Sequence, residues 1–118
     1  MWFPYDLLWR KAMETKIQRI IETLRKQLET FYGDRLAHLV LFGSRARGDA
    51  EPDSDIDLLV VLHGPVSAGT EIERTSFIVS DLCLENDVVI GCIFMDNDRY
   101  EHKNGPLLRN IRKEGILV

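Results

Sequence analysis

The 118-residue chain is short of cysteine and of long apolar runs, and each shortage excludes a class of protein. Its two cysteines, Cys83 and Cys92, have neither metal-binding nor redox spacing, so we expect buried thiols in a reducing cytoplasm and no disulfide. No stretch contains the roughly 18 consecutive apolar residues that a membrane span needs. The N-terminus has no basic stretch followed by an apolar core, so we expect no secretory signal.

The chain also lacks an excess of basic residues and two familiar phosphate-binding motifs. Its net charge of −4 argues against an extended nucleic-acid-binding surface, since such a surface needs a basic face. Neither the Gly-x-x-x-x-Gly-Lys-Ser/Thr pattern of a P-loop nor the Gly-x-Gly-x-x-Gly pattern of a dinucleotide fold occurs. What remains is an ordinary globular composition, 45% hydrophobic and 29% charged, that can form one domain with its own core.

Apolar periodicity divides the chain into helices and short strands. A helical stripe over residues 17–31 predicts a first helix that ends at Gly33. We expect buried strands over residues 37–42, 55–63 and 88–94, a helix within 67–85 and a last helix around 107–111. This order predicts a mixed α/β (α+β) domain, a small mixed β-sheet flanked by helices, with the helices on one face of the sheet.

The most informative stretch connects the first two predicted strands. Gly43-Ser44 ends the first strand, and after ten residues Asp55-x-Asp57 opens the second. Because residues i and i+2 of a strand share a face, the two carboxylates would project side by side, with Ile56 in the core. Two adjacent carboxylates repel unless a cation lies between them, and oxygen ligands near phosphate favour Mg²⁺.

The Gly-Ser turn itself suits a polyphosphate. Its backbone N–H groups and the Ser44 hydroxyl can face phosphate oxygens, and Gly48 permits a tight backbone path nearby. Arg45 and Arg47 either add positive charge for a nucleotide or are simply solvated turn residues. Ser54 either caps the turn or contacts phosphate.

A site that holds two metal ions needs a third carboxylate. Asp87 opens the third predicted strand. If that strand lies beside the second, its carboxylate can join Asp55 and Asp57. The alternatives Asp81 and Glu85 fall in a predicted helix. Two metals would clamp the attacking and the leaving oxygen of a phosphoryl or nucleotidyl transfer.

With these residues assembled, the chain resembles the minimal nucleotidyltransferases of the DNA polymerase beta superfamily. The residues that carry the resemblance, in order and spacing, are 41–48, 54–58, 87–89 and the C-terminal stretch 106–115. The resemblance covers roughly residues 13–118, which we take as a single nucleotidyltransferase domain. Residues 1–12 precede it as an aromatic N-terminal extension.

The resemblance implies roles for the motif residues. Gly43 and Ser44 would hold the triphosphate of ATP, and Asp55 and Asp57 would bind two Mg²⁺ ions. Asp87 would complete the metal site and help to deprotonate an acceptor hydroxyl. That hydroxyl would attack the α-phosphate and expel pyrophosphate.

The resemblance also implies a partner. Stand-alone members of this length typically pair with a HEPN-domain ribonuclease toxin, and the nucleotidyltransferase is the antitoxin that transfers AMP from ATP to a toxin tyrosine. Neutralisation by binding alone, and transfer to a small molecule or an RNA 3′ end, stay open. The extension, which contains Trp2 and Trp9, either packs on its own domain or extends the first helix, or it forms an interface in a homo- or hetero-oligomer.

Overall fold

The computed structural model describes residues 15–118, and the predicted extension lies outside them. The elements are α1 (Thr15–Tyr32), a 3₁₀ turn (Gly33–Arg35), β1 (Leu36–Phe42), α2 (Ser44–Arg47), β2 (Ile56–Leu62), α3 (Ala68–Asn86), β3 (Ile90–Asp96), α4 (Asn97–His102), α5 (Pro106–Glu114) and β4 (Ile116–Leu117). None of the helices in this part of the chain is both long and apolar enough to cross a membrane.

The four strands of residues 15–118 form one mixed sheet in the order β3-β2-β1-β4. β1 runs antiparallel to both of its neighbours, whereas β2 and β3 are parallel and are joined by α3. A parallel pair needs a crossover, and α3 supplies it. The predicted mixed sheet flanked by helices is therefore confirmed.

Two long helices cover one face of the sheet. The apolar stripe of α1 packs with α3 against the strand side chains that point to this side. The stripe recurs every three or four residues, as in an amphipathic helix, and its buried members are Ile17, Ile20, Ile21, Leu24 and Leu28.

The opposite face is covered by α4 and α5, so the expectation that all helices share one face is wrong. Tyr100 of α4 and Ile111 of α5 pack against Val40, Leu59 and Val61 of the sheet. The run 58–62 of β2 is buried throughout, which is typical of a strand covered on both sides. The unbroken apolar run 58–62 is the feature of the sequence that indicates helices on both faces of the sheet.

The helix α4 was not predicted because it is short and contributes only Tyr100 to the core. Its N-terminus is capped by Asp96, whose Oδ1 accepts a hydrogen bond from the Arg99 N–H at 2.7 Å. Arg112 of α5 donates to the carbonyl oxygens of Tyr100 and, at 2.8 Å, Lys103. These bonds hold α4 against α5.

A buried carboxylate joins the helices at the end of the sheet where β2 finishes. Glu71 accepts hydrogen bonds from the Tyr32 hydroxyl at 2.7 Å, from Arg74 at 2.9 Å and from Arg35 at 3.4 Å. Burial alone would raise the pKa of Glu71, but the Tyr32 hydrogen bond and the two guanidinium charges together lower it. Arg35 also donates to the carbonyl oxygens of His63 and Pro65, so the cluster anchors the loop after β2.

Cys83 and Cys92 are free thiols, and both are half-buried where full burial was expected. Both pack at the edge of the core between α3 and β3. Burial, with a smaller contribution from Cys83, raises the pKa of Cys92 to about 12. Cys92 therefore stays protonated at neutral pH.

Candidate active site

The Gly-Ser turn leaves the sheet directly beside a carboxylate. Phe42, the last residue of β1, pairs with Asp57 of β2. Gly43 follows with φ 75° and ψ −158°, a backbone conformation that is essentially restricted to glycine. A Cβ at position 43 would lie 3.3 Å from Cγ of Asp57 and closer still to its Oδ2. Position 43 therefore requires glycine both for its backbone and for the space that Asp57 occupies.

The turn is held by its own backbone hydrogen bonds. The Gly43 carbonyl accepts from the N–H groups of Ala46 and Arg47, both at 3.1 Å. Gly48 ends α2 in the left-handed conformation, and its N–H donates to the Ser44 carbonyl at 3.0 Å. These bonds fix the position of Ser44. Ser44 directly follows Gly43, and Gly43 is the residue that lies against Asp57.

The carboxylate pair forms as the alternation of a strand predicts. Ile56 is fully buried in the core, and Asp55 and Asp57 lie on either side of it. Asp55 is exposed, whereas Asp57 is half-buried. Burial raises the pKa of Asp57, the charge of Asp55 raises it further, and Arg47 partly opposes both effects. The charged pair is thus unfavourable on its own, and a cation would relieve it.

Arg45 is a buried positioning residue, only 5% exposed. Its Nη2 donates to the carbonyl oxygens of Pro52 at 3.2 Å and Ser54 at 3.0 Å, on the loop that leads into Asp55. Arg45 is therefore not a solvated turn residue, and these contacts give no support to its predicted role in nucleotide binding. Nothing in the sequence marks it as buried, because the loop that covers it is polar.

Ser54 takes the first of its two predicted roles. Its hydroxyl accepts a hydrogen bond from the Glu51 N–H at 2.8 Å, and its own N–H donates to the Glu51 carbonyl at 3.0 Å. These reciprocal bonds close a turn immediately before Asp55. Ser54 caps the turn, and phosphate contact stays only a prediction.

Arg47 lies at the surface between the turn and α5. It donates to Asp49 Oδ2 at 3.2 Å and to Glu114 Oε2 at 3.0 Å. Its charge still acts on Asp57. Arg47 therefore lies close enough to Asp57 for its charge to act on that carboxylate.

The prediction that Asp87 opens the third strand is wrong. Asp87 is exposed and ends α3 in a left-handed conformation with φ 53°, and β3 begins three residues later. The parallel register pairs Asp57 with Gly91, so β3 presents no side chain at this point. Within residues 15–118, no three His, Cys, Asp or Glu side chains lie close enough together to hold a metal ion. The structure brings Asp55 and Asp57 together without Asp87.

The carboxylate pair at the site fits a divalent cation. The unfavourable carboxylate pair favours a cation, and its hard oxygen ligands suit Mg²⁺. A three-carboxylate cluster that would bridge two ions is not formed by the described residues. Next to the pair, the turn of Gly43 and Ser44 provides the polar backbone that a phosphate chain requires.

The structure sets the Gly-Ser turn against the Asp-x-Asp pair of a mixed sheet, which is the arrangement that the resemblance to nucleotidyltransferases implies. Residues 21–117 match the family described as "Nucleotidyltransferase domain". The chain belongs to this family and is a nucleotidyltransferase.

Two relatives come from Methanocaldococcus jannaschii, and both are named as protein adenylyltransferases. MJ0604 is 33% identical over 102 residues, which cover 86% of this chain and 96% of that protein. MJ0141 is 33% identical over 78 residues, which cover 66% of this chain and 78% of that protein. The similarity thus extends over most of the chain and nearly the whole of one relative.

Solved structures share the fold at lower identity. A chain of a toxin–antitoxin structure with AMP-PNP matches with TM-score 0.57 at 18% identity, covering 81% of this chain and 70% of that one. A structure described as a nucleotidyltransferase from Sulfolobus solfataricus matches with TM-score 0.52 at 24% identity, covering 89% and 86%. A chain of a mutant MntA–HpeT toxin–antitoxin matches with TM-score 0.55 at 18% identity, covering 89% and 72%. These likenesses establish the fold.

Proposed function

We propose that this nucleotidyltransferase is an antitoxin that transfers AMP from ATP to a hydroxyl of a partner toxin. The observation that carries the proposal is the packing of Gly43 against Asp57, because it sets a phosphate-binding turn beside a carboxylate pair. A strand end or a solvated turn would not need a residue without a side chain at that point. The relatives named as protein adenylyltransferases support AMP as the transferred group.

The chain's own residues would position the reaction. Gly43 and Ser44 would bind the triphosphate, and Asp55 and Asp57 would hold Mg²⁺. When bound, Mg²⁺ would neutralise phosphate charge and make the α-phosphorus more electrophilic. The acceptor oxygen would form a bond to this phosphorus as the bond to pyrophosphate breaks, and the hydroxyl proton would leave to solvent or to a base on the acceptor.

A protein acceptor fits a domain of this size. The described residues form one sheet with its covering helices and no second domain that could bind a small-molecule or RNA acceptor. The toxin–antitoxin assemblies among the structural neighbours support a toxin as the acceptor protein. A HEPN-domain ribonuclease with an acceptor tyrosine is the specific partner that we propose.

Labelling from ATP tests the transfer. The purified chain is incubated with Mg²⁺, the HEPN protein encoded beside it, and ATP carrying radioactive phosphorus at the α or the γ position. We expect label on the partner from α-labelled ATP only, and none with Asp55→Asn. Asp53→Asn, an exposed carboxylate of the same loop, is the matched control and should label normally. Label from γ-labelled ATP would instead indicate phosphoryl transfer.

One observation favours a second candidate, neutralisation of the toxin by binding alone. The site has two adjacent carboxylates and, among the described residues, no third. In that case the Asp55→Asn/Asp57→Asn double variant would protect cells from the co-expressed toxin as well as the parent chain does. Loss of protection in the double variant, with the complex still formed, would eliminate this candidate.

A further inference from the structure

We propose that Gly91 leaves this site one carboxylate short, so that the chain with a bound nucleotide holds one divalent cation and not two. The inference rests on the proposed nucleotide site. It goes further by locating the missing ligand at one position of β3.

The strand register gives the position. β2 and β3 are parallel, Asp57 pairs with Gly91, and the Ile56 N–H donates to the Val89 carbonyl at 2.9 Å. Neighbouring strands of a sheet place paired residues about 5 Å apart on the same face, within reach of a shared cation. Residue 91 is therefore the point of β3 from which a side chain could join Asp57.

The remaining side chains on this face of β3 provide no oxygen ligand. Ile93 and Met95, which share the Gly91 face of β3, are apolar, and so is the exposed Val89 just before the strand. The acidic residue of β3, Asp96, lies at the far end of the strand, where it pairs with Leu62 and caps α4. The strand thus offers an open, uncharged surface beside the carboxylate pair.

Other nearby carboxylates have different partners. Asp49 and Glu114 are both bound to Arg47. Asp81 and Glu85 are exposed on α3, the helix that packs on the opposite face of the sheet. None of these forms a three-carboxylate group with the pair within the described residues.

The fold does not require glycine at position 91. Its φ lies outside the left-handed region, and a Cβ there would lie 3.6 Å from Asp57 Oδ1, an ordinary contact distance. Gly43 also contacts Asp57, but it cannot be replaced without a clash. The contrast indicates that a carboxylate could be accommodated at position 91 and would lie directly beside the pair.

Counting bound Mn²⁺ tests the inference. The full chain is titrated with Mn²⁺ in the presence of α,β-methylene-ATP, and free Mn²⁺ is followed by electron paramagnetic resonance. We expect one Mn²⁺ per chain for the parent and two for Gly91→Asp. Gly91→Asn, which has the same shape without the charge, should stay at one, and so should Asp87→Asn.

Three results would overturn the inference. The parent chain binding two Mn²⁺ would show that the site is complete, and a fall from two to one in Asp87→Asn would assign the third carboxylate to Asp87. A folded Gly91→Asp that still binds one Mn²⁺ would remove position 91 as the missing ligand. The cation count does not depend on transfer to a partner, so it stands or falls separately from the labelling result.

Discussion

Gly43 and Asp57 lie closer together than any side chain at position 43 would allow, since a Cβ there would come within 3.3 Å of Asp57 Cγ and nearer to Oδ2. This contact joins the two parts of the motif, the turn after β1 and the carboxylate pair at the start of β2. It also means that any side chain added at position 43 must displace the carboxylate.

Replacement of Gly43 by Ala should abolish transfer without unfolding the chain. The added methyl group would displace Asp57, and a displacement of about 1 Å at a reacting centre costs on the order of 100-fold in rate. Strain in the backbone should lower the free energy of unfolding by about 1–3 kcal/mol. AMP incorporation and urea denaturation measure the two effects.

Gly48→Ala is the matched control. Gly48 also has a positive φ, 84°, but a Cβ there has no atom within 4 Å. We expect a loss of about 1–2 kcal/mol from the left-handed conformation and near-parental transfer. Equal loss of transfer in both variants would show that backbone strain, and not the contact with Asp57, matters.

Asp57→Asn should stabilise the metal-free chain while it abolishes transfer. Burial and the neighbouring Asp55 raise the pKa of Asp57, which means that the folded chain holds its charged form at a cost. A neutral side chain of the same shape removes this cost. Thermal unfolding without Mg²⁺ should give a higher Tm for the variant, and added Mg²⁺ with ATP should raise the Tm of the parent alone. A lower Tm for metal-free Asp57→Asn would contradict this account.

Arg45→Ala should act through the loop that it holds. Loss of two hydrogen bonds from a buried guanidinium to backbone carbonyls should cost about 1–3 kcal/mol of unfolding free energy and displace Asp55. Arg47→Ala removes an exposed arginine from the same short helix and should leave stability nearly unchanged. The denaturation midpoints of the two variants are compared. If Arg47→Ala lost as much unfolding free energy as Arg45→Ala, the positioning role of Arg45 would be refuted.

Glu71→Gln should destabilise the chain in a pH-dependent way. The net effect of folding is to lower the pKa of Glu71 below 4.5, so its contribution is complete above that pH and is lost as pH falls through the lowered pKa. At pH 7 we expect a loss of about 1–3 kcal/mol relative to the parent, and a smaller difference once the pH has fallen through the lowered pKa of Glu71. Glu73→Gln, exposed on the same helix, should show little effect at either pH. A difference that is constant across this range would exclude the charge of Glu71 as its cause.

The parts of the fold with strong local patterns could be predicted from the sequence. The stripe of α1, the apolar runs of β1 and β2 and the Gly-Ser turn with its carboxylate pair all follow from spacing that local geometry imposes. The alternation that buries Ile56 between the two carboxylates is of this kind.

The remaining features depend on tertiary contacts. Asp87 precedes an apolar run and therefore resembles a strand start, yet α3 extends to Asn86 and ends through a left-handed Asp87. The pairing of Asp57 with Gly91 depends on strand register, which no local pattern specifies. Arg45 is buried against the polar loop that follows its turn, whose Pro52 and Ser54 carbonyl oxygens accept its hydrogen bonds, and a polar loop carries no apolar signal.

The mass of the partner protein tests the central claim most directly. The parent chain and the Asp55→Asn chain are each co-expressed with the neighbouring HEPN protein, and the intact mass of that protein is measured in each complex. The account predicts a partner heavier by one or more AMP groups with the parent chain and an unmodified partner with Asp55→Asn. An unmodified partner in both complexes, with the toxin still neutralised, would contradict it.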